Sequence, residues 1–387
     1  MATVTSPWET RRPTRVRKFL DQMERIRYAL VYRKILKSDL RLNPDIRRYR
    51  IGREQRREIR SFWRGHGVNH VNLDWYKFQG GLLGKIDPRF IPEDTFRIEI
   101  EPQLNSRGLA GAYGDKNLID VRFADFRRPV TVLRSMHGLY YDAAYQPLNR
   151  PGVLALLKRL DGFYIVKPCV GGTGGGQNVN RITISNGAIQ AADRAIGIAD
   201  IERTYKTNFI IQEVVEQHPE MAVYHPKSLN TCRIITLRLD GAYHVIACAL
   251  RMGNGKYTDN LLSGGLSAGI DVNTAALTSF ALDDHYRKFT CHPATDIVFA
   301  GRVVPHFDRI KSLALSVHAR LSYFDMISHD VSLCQDGQPC LIEVNLFGQG
   351  IEPFQILKGS PIFGEHTDRV LEMVDRRRQG DWISHKE

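Results

Sequence analysis

Over residues 15–36 the chain reads RVRKFLDQMERIRYALVYRKIL, and Val16, Phe19, Met23, Ile26 and Leu30 recur at three- and four-residue steps. That is the period of one helical face, and many positions between are arginine or lysine, so the stretch predicts a basic amphipathic helix. Its apolar stripe is expected to pack on the body of the protein and leave the arginine face outward. RREIRSFWRGHG, which ends at glycines, and the Pro-containing DPRFIPEDTF continue residues 1 to 105 as helical and irregular chain. From Tyr113 the pattern shortens to strands and glycine turns. RIITLRL and AYHVIACAL flank Asp240-Gly241, and RITIS and AIQ flank Asn186-Gly187. Both are two-residue hairpin signals, because these residue types accept positive φ. VSLC and PCLIEV flank residues 335–338 as a further hairpin. A helical period returns in HFDRIKSLALSVHARL, with Ile310, Leu313, Ala314 and Val317 on one face. Antiparallel hairpins with separate helices argue an α+β fold, and no internal repeat is present.

At 387 residues and 43% hydrophobic content, the chain is long enough for a sizeable core and two or three subdomains. Cys169, Cys232, Cys248, Cys291, Cys334 and Cys340 form no C-x-x-C pair and no zinc spacing, which points to a reducing cytoplasm without disulfides or structural metal. The N-terminus is charged throughout and lacks the apolar core of a leader, and no run reaches the length of a membrane span. Through Arg64, 19 Lys+Arg stand against 7 Asp+Glu, which is the whole of the +12 surplus; the remaining chain is balanced. A basic helix of this kind suits weak contact with an anionic membrane surface or an acidic polymer. No nucleic-acid module accompanies the charge, so nucleic acid is not an expected partner. The expected location is the cytoplasm, peripheral at the inner face of the membrane.

The stretch YIVKPCVGGTGGG, residues 164–176, runs from a strand through Lys167 into Gly171, Gly172, Thr173, Gly174, Gly175 and Gly176. Glycine lets backbone N–H groups approach anionic oxygens. A Walker A loop is excluded, since its lysine follows the glycines and opens a helix. A dinucleotide fingerprint is excluded too, because no helical period follows. A flap over a phosphate chain fits the order of residues.

In the hairpin around residues 335–338, Asp330 is expected to open the first strand and Glu343 to close the second, with Asn345 two residues on. Alternation puts Glu343 and Asn345 on one face. Three oxygen donors then meet, a set suited to Mg²⁺ completed by water and nucleotide phosphates.

With these motifs in order, residues 113–363 resemble the ATP-grasp superfamily, whose fold is two α+β lobes clasping ATP. The resemblance implies a basic helical region over 1–105, a first lobe with the glycine flap over 106–211 and a second lobe with the metal site over 212–387. Lys116 in YGDKNLID and Lys167 in YIVKP look like the two lysines that grip ATP phosphates. IIQEVVE resembles the hinge, so Gln212 and the backbone around Glu213 and Val215 would meet the adenine. Asp330, Glu343 and Asn345 match the metal triad, which implies ATP and Mg²⁺ as cofactors. NTCRIITLR, ALRMG and DNLLSGG are similar to the sugar-transfer-associated branch and, more distantly, to glutamate-adding ligases. By that resemblance Arg233 and Arg251 stand over the γ-phosphate and an acyl phosphate, with Asn260 and Ser263-Gly264-Gly265 alongside. Asn230 falls where related ligases carry an acidic residue near the ribose. The implied activity is carboxylate–amine ligation, with a small-molecule or glycan-linked acid and an amine as substrates. A kinase acting on a sugar hydroxyl, or a non-catalytic nucleotide-binding scaffold, would share these motifs.

Overall fold

The computed structural model describes residues 15–170, 179–192, 194–255, 259 and 264–382, and within that span the side chains of residues 15–21 and 24 are left undescribed. Helices α1 (Arg15–Leu42), α2 (Pro44–Arg48), α3 (Arg53–Gly65) and α4 (Leu73–Leu83) open the chain. Gly80 and Gly81 allow α2 to lie against α4, since a Cβ on Gly81 would stand 2.8 Å from the Ile46 Cα. The expected packing of the α1 stripe is overturned. Met23, Ile26 and Leu30 are 50%, 45% and 61% exposed, whereas Leu36 and Leu40 are buried. The inward face is instead made by Arg25, which pairs with Glu99, and by Tyr28 and Tyr32, which lie under Arg107 and Arg97. Cation–π contacts have taken the side that the aliphatic stripe was expected to fill.

The strand region begins later than the sequence pattern implied. Asp115 accepts a hydrogen bond from the Asn117 N–H and so caps a helix, Lys116–Arg122, ahead of the first strand. Strands β1 (Thr131–Met136), β2 (Leu139–Asp142), β3 (Pro147–Leu148), β4 (Gly162–Pro168), β5 (Asn180–Ser185), β6 (Ala188–Ala191), β7 (Arg194–Ile196) and β8 (Phe209–Glu213) form one sheet, in the order β3-β2-β1-β8-β4-β5-β6-β7. Strands β9 (Thr231–Leu239), β10 (Ala242–Met252), β11 (Leu266–Ile270), β12 (Leu277–Leu282), β13 (Lys288–Phe289), β14 (Met326–Leu333) and β15 (Pro339–Asn345) form the other, in the order β13-β12-β11-β10-β9-β14-β15. Every pairing is antiparallel. The β9–β10 turn has φ of 49° at Asp240 and 81° at Gly241, and the β5–β6 turn has 50° at Asn186 and 83° at Gly187, the positive pair that the sequence signalled. The fold is α+β, as the alternation of hairpins and helices indicated.

The second sheet is buried on both faces. Cys232, Ile234, Cys248 and Leu250 face the Phe307–His318 helix, with its buried Ile310, Leu313, Ala314 and Val317. Ile235, Leu237, Ala247 and Ala249 point the other way, into a core shared with Trp63, Trp75, Tyr76 and Phe78 of the N-terminal helices. That second face also carries Arg233 and Arg251. Among the described residues no helix is long and apolar enough to cross a membrane.

Candidate active site

The parity that buries Ile235 and Ala249 puts Arg233 and Arg251 on the same face. Asp330 lies directly across from Arg233 in the β9–β14 ladder, mid-strand in β14 rather than at its opening. Arg233 Nε and Nη2 donate to its two carboxylate oxygens at 2.7 and 2.6 Å, and Arg251 Nη1 donates to Oδ2 at 3.3 Å. Burial works to raise the Asp330 pKa, but the two guanidinium groups outweigh it and hold the carboxyl down at about 2. Asp330 is therefore an anion at any physiological pH.

On the other side of β14, Glu343 pairs with Asp330 and Asn345 with Ser328, and a register shift next to Asp330 keeps Leu341 and Val344 on the opposite, apolar face. Glu343 is two residues short of the end of β15. Its carboxylate receives Lys116 Nζ at 2.9 Å, delivered from the first turn of the Lys116–Arg122 helix. Burial pushes the Glu343 pKa up, Lys116 pulls it down, and the net shift is downward. Lys167, buried on β4 of the first sheet, is lowered to about 8 by burial and then by repulsion from Lys116. The amide of Asn345 helps to keep Asp330 ionised, yet its buried Nδ2 lacks a full hydrogen-bond partner. Lys116, Lys167, Arg233, Arg251, Asp330, Glu343 and Asn345 are thus brought together from both sheets.

Residues that the sequence reading passed over complete the surroundings. Asp259 accepts the Thr231 hydroxyl, and burial, opposed by Arg251, raises its pKa. Its position directly before Asn260 in DNLLSGG was the available signal. Asp120 receives Arg128 at 3.0 Å and Arg134 at 2.6 Å, which fixes the helix that carries Lys116. Glu93 accepts the Ile351 and Glu352 N–H groups at 2.9 and 3.1 Å, Glu101 accepts that of Gln349 at 3.0 Å, and Arg97 bridges the two glutamates. The N-terminal helices thereby hold the loop that follows Asn345. These contacts join residues too far apart in the chain to be read from local pattern.

The hinge segment is tied to the hairpin that bears Asp330: Gln335 N–H donates to Glu216 O at 3.0 Å and His218 N–H to Leu333 O at 2.9 Å. Gln212 is buried and donates to Thr131 at 2.9 Å, and the Glu213 N–H is taken by Val130 O. No backbone acceptor is taken by the N–H groups of Val214, Val215 and Glu216 among the described residues. Asn230 is not brought to the cleft. It is fully buried, and its amide donates to Gln217, Met221 and His225, so it serves the framework rather than a ribose contact. Gly171, Gly172, Thr173, Gly174, Gly175, Gly176, Asn260 and Ser263 lie outside the described residues.

Among the described residues no three His, Cys, Asp or Glu side chains are arranged to hold a metal. The donor set of Asp330, Glu343 and Asn345 is nevertheless one of hard oxygens, with two ionised carboxylates opposed across a strand pair and a carboxamide beside them. Four cationic side chains surround these two carboxylates, an imbalance that favours a polyanion over a free cation. The residues fit a Mg²⁺ ion that arrives with phosphates.

A family model described as sugar-transfer associated ATP-grasp matches residues 95–370. No curated protein matches the chain. Among solved structures, an L-amino acid ligase from Bacillus licheniformis is 15% identical, with 70% of this chain and 48% of that chain covered and a TM-score of 0.37. The ATP-grasp ligase PsnB, complexed with minimal precursor, Mg and ADP, is 14% identical, with 70% and 62% covered and a TM-score of 0.37. D-alanine–D-alanine ligase from Bacillus anthracis is 14% identical, with 69% of each chain covered and a TM-score of 0.38. This chain spans about half the length of the first and less than two thirds of the second. The family match takes in the cation cluster, the hinge and the β14–β15 hairpin within well over half of the sequence, and the chain belongs to the sugar-transfer-associated ATP-grasp family.

Proposed function

We propose that this chain is an ATP-dependent ligase that joins a carboxylic acid to an amine through an acyl phosphate, in polysaccharide, cell-surface glycan or natural-product biosynthesis. The observation that carries the reading is the convergence of Lys116, Lys167, Arg233 and Arg251 on the ionised pair Asp330 and Glu343. Lys116 and Lys167 would grip phosphate oxygens of ATP from two sides. The hinge, with Gln212 and the backbone around Glu213 and Val215, would take the adenine, and residues 171–176 would cover the phosphates. A substrate carboxylate oxygen attacks the γ-phosphorus, the bond to the β,γ-bridging oxygen breaks, and ADP leaves. The amine nitrogen then attacks the acyl carbon, phosphate departs, and the amine's proton passes to solvent. Arg233 and Arg251 would face the charge that develops on the transferred phosphoryl group, with Asn260 beside them. A triphosphate offers both arginines a second anionic partner, which frees oxygens of Asp330. Bound by Asp330, Glu343 and Asn345, Mg²⁺ would supply charge neutralisation between the β- and γ-phosphates.

The test is an ATP-consumption screen over paired amino acids and sugar acids, with mass analysis of products. ADP release that requires both an acid and an amine, with an amide as product, is expected. A stable phosphoester on a hydroxyl acceptor would identify a kinase instead, and ATP binding without turnover across all pairs would identify a scaffold.

We divide the chain into a basic helical region (1–105) and two ATP-clasping lobes (106–211 and 212–387). The exposed Met23, Ile26 and Leu30 of α1, set beside Arg27 and Lys34, support weak contact with an anionic membrane at its cytoplasmic face. Co-sedimentation with anionic vesicles at low salt tests this contact, and no association there would remove it.

A further inference from the structure

Helix α3 carries Arg53, Arg57, Arg60 and Arg64 at steps of four, three and four residues, and all four are exposed. On a helix those steps return to one face, so the guanidinium groups form a straight stripe about 16 Å long. The small Ser61 and Gly65 flank the stripe, and with the arginines they line a shallow trough. None of the four has an ion pair, hydrogen bond or aromatic partner among the described residues. The same helix contains Glu54 and Glu58, but both are turned roughly a third of a turn away from the stripe.

Some surface arginines are matched with acids, as Arg320 is with Asp125 at 2.5 Å, Arg369 with Asp240 at 2.9 Å and Arg203 with Asp200 at 2.8 Å; α3 differs in lining four unmatched ones along a single helix face. Four adjacent unmatched guanidinium groups repel one another, an arrangement suited to an external anion. The helix is held from behind by the buried Ile59 and Trp63, so the stripe is presented on a rigid element.

We infer that the α3 stripe docks the protein onto the phosphates of an anionic phospholipid surface; the inference rests on the membrane reading of α1 and assigns the headgroup contact to α3. Guanidinium forks match phosphate oxygens, and a straight row of them meets a plane of headgroups at once. No exposed large apolar or aromatic side chain belongs to α3, so stacking of single-stranded bases, the usual device for such nucleic acid, is lacking there. The apolar contact with the acyl region falls to α1, whose Met23, Ile26, Leu30, Val31 and Ile35 are exposed.

The experiment uses the full chain and vesicles of phosphatidylcholine with and without phosphatidylglycerol. Binding to the anionic vesicles alone, weakened by salt, is expected. Replacing all four arginines by glutamine should reduce that binding by on the order of a hundredfold or more, and each single replacement by several-fold. The four-lysine variant should keep most of it, because the attraction is one of charge; melting temperature and ATP turnover should be unchanged in every variant. Vesicle binding by the four-glutamine variant equal to that of the unaltered chain would overturn the proposal. If that variant still binds while Met23→Ser/Ile26→Ser/Leu30→Ser does not, α1 is the docking element and only the assignment to α3 fails. Preference for a single-stranded oligonucleotide over anionic vesicles at equal salt would also overturn it.

Discussion

Arg233 and Arg60 carry the same guanidinium in opposite settings. Arg233 sits in the cleft, locked to both oxygens of Asp330 and flanked by Arg251. Arg60 stands on an exposed helix face among three other arginines, with no partner among the described residues. In the cleft each charge is held where water is scarce, so removing one partner leaves the other uncompensated and the effects couple strongly. On α3 each charge is solvated and screened, so the effects are small, additive and salt-dependent. The difference separates the proposed chemical site, which depends on geometry, from the proposed docking surface, which depends on count.

The largest expected effect comes from breaking the cleft pair. Asp330→Asn leaves Arg233 and Arg251 side by side without their carboxylate, and should cost about 3–5 kcal/mol of stability. Turnover should fall by on the order of a hundredfold or more. Denaturant unfolding and kcat measure the two losses, and Asp330→Asn/Arg233→Met should regain part of the stability but none of the turnover. Unchanged stability in Asp330→Asn would erase the contrast between the two regions.

Lys167 gives the next effect. Its folded-state pKa of about 8 lies below the ordinary lysine value, so burying the charged form destabilises the fold at neutral pH. That penalty is relieved as pH rises from about 8 towards the unfolded value, a gain of about 3 kcal/mol by linkage. ATP affinity should move the other way and fall above about pH 8, as the lysine loses its charge. Stability and nucleotide titrations across that window check both trends, and Lys167→Met should abolish the rise in stability.

Asp39 on α1 sharpens the comparison from the N-terminal side. Burial raises its pKa to about 6, with His285 opposing and Asp284 assisting. A carboxyl raised above its unfolded value contributes stability at low pH that is lost as pH climbs through about 6. The expected loss is about 2–3 kcal/mol, which Asp39→Asn should remove. Parallel pH profiles for the two proteins would count against this account. The smallest effect belongs to Arg60→Gln, which should leave the melting temperature where it is, because no partner is lost.

Much of the hairpin pattern in both sheets was legible beforehand. Turn chemistry at Asp240-Gly241 and Asn186-Gly187 marks hairpins because few residues accept positive φ, but Arg233 and Arg251 share a face only through the register shift between Val245 and Ala247, since unbroken pairing from that turn would set Arg233 opposite Cys248. Alternation put Glu343 and Asn345 on one face, and the register shift beside Asp330 brings that carboxylate opposite Glu343. Position within the strand was less legible, since β14 begins four residues before Asp330 and its start depends on pairing with β9.

By itself, then, the sequence determined what short-range periodicity and turn preference can encode: the hairpins, the α+β class and the residues sharing a strand face. Only the tertiary structure decided who meets whom. Arg233 and Asp330 are 97 residues apart, and Lys116 and Glu343 are 227 apart. Asn230 could be read as a ligand contact until its amide was found spent on Gln217, Met221 and His225. The apolar stripe of α1 could be read as core until Tyr28 and Tyr32 were found on the inward side instead. A pattern of apolar and polar positions states which faces differ, but which face becomes the inside depends on the shape and charge of the surface it meets, and that surface is supplied by distant parts of the chain.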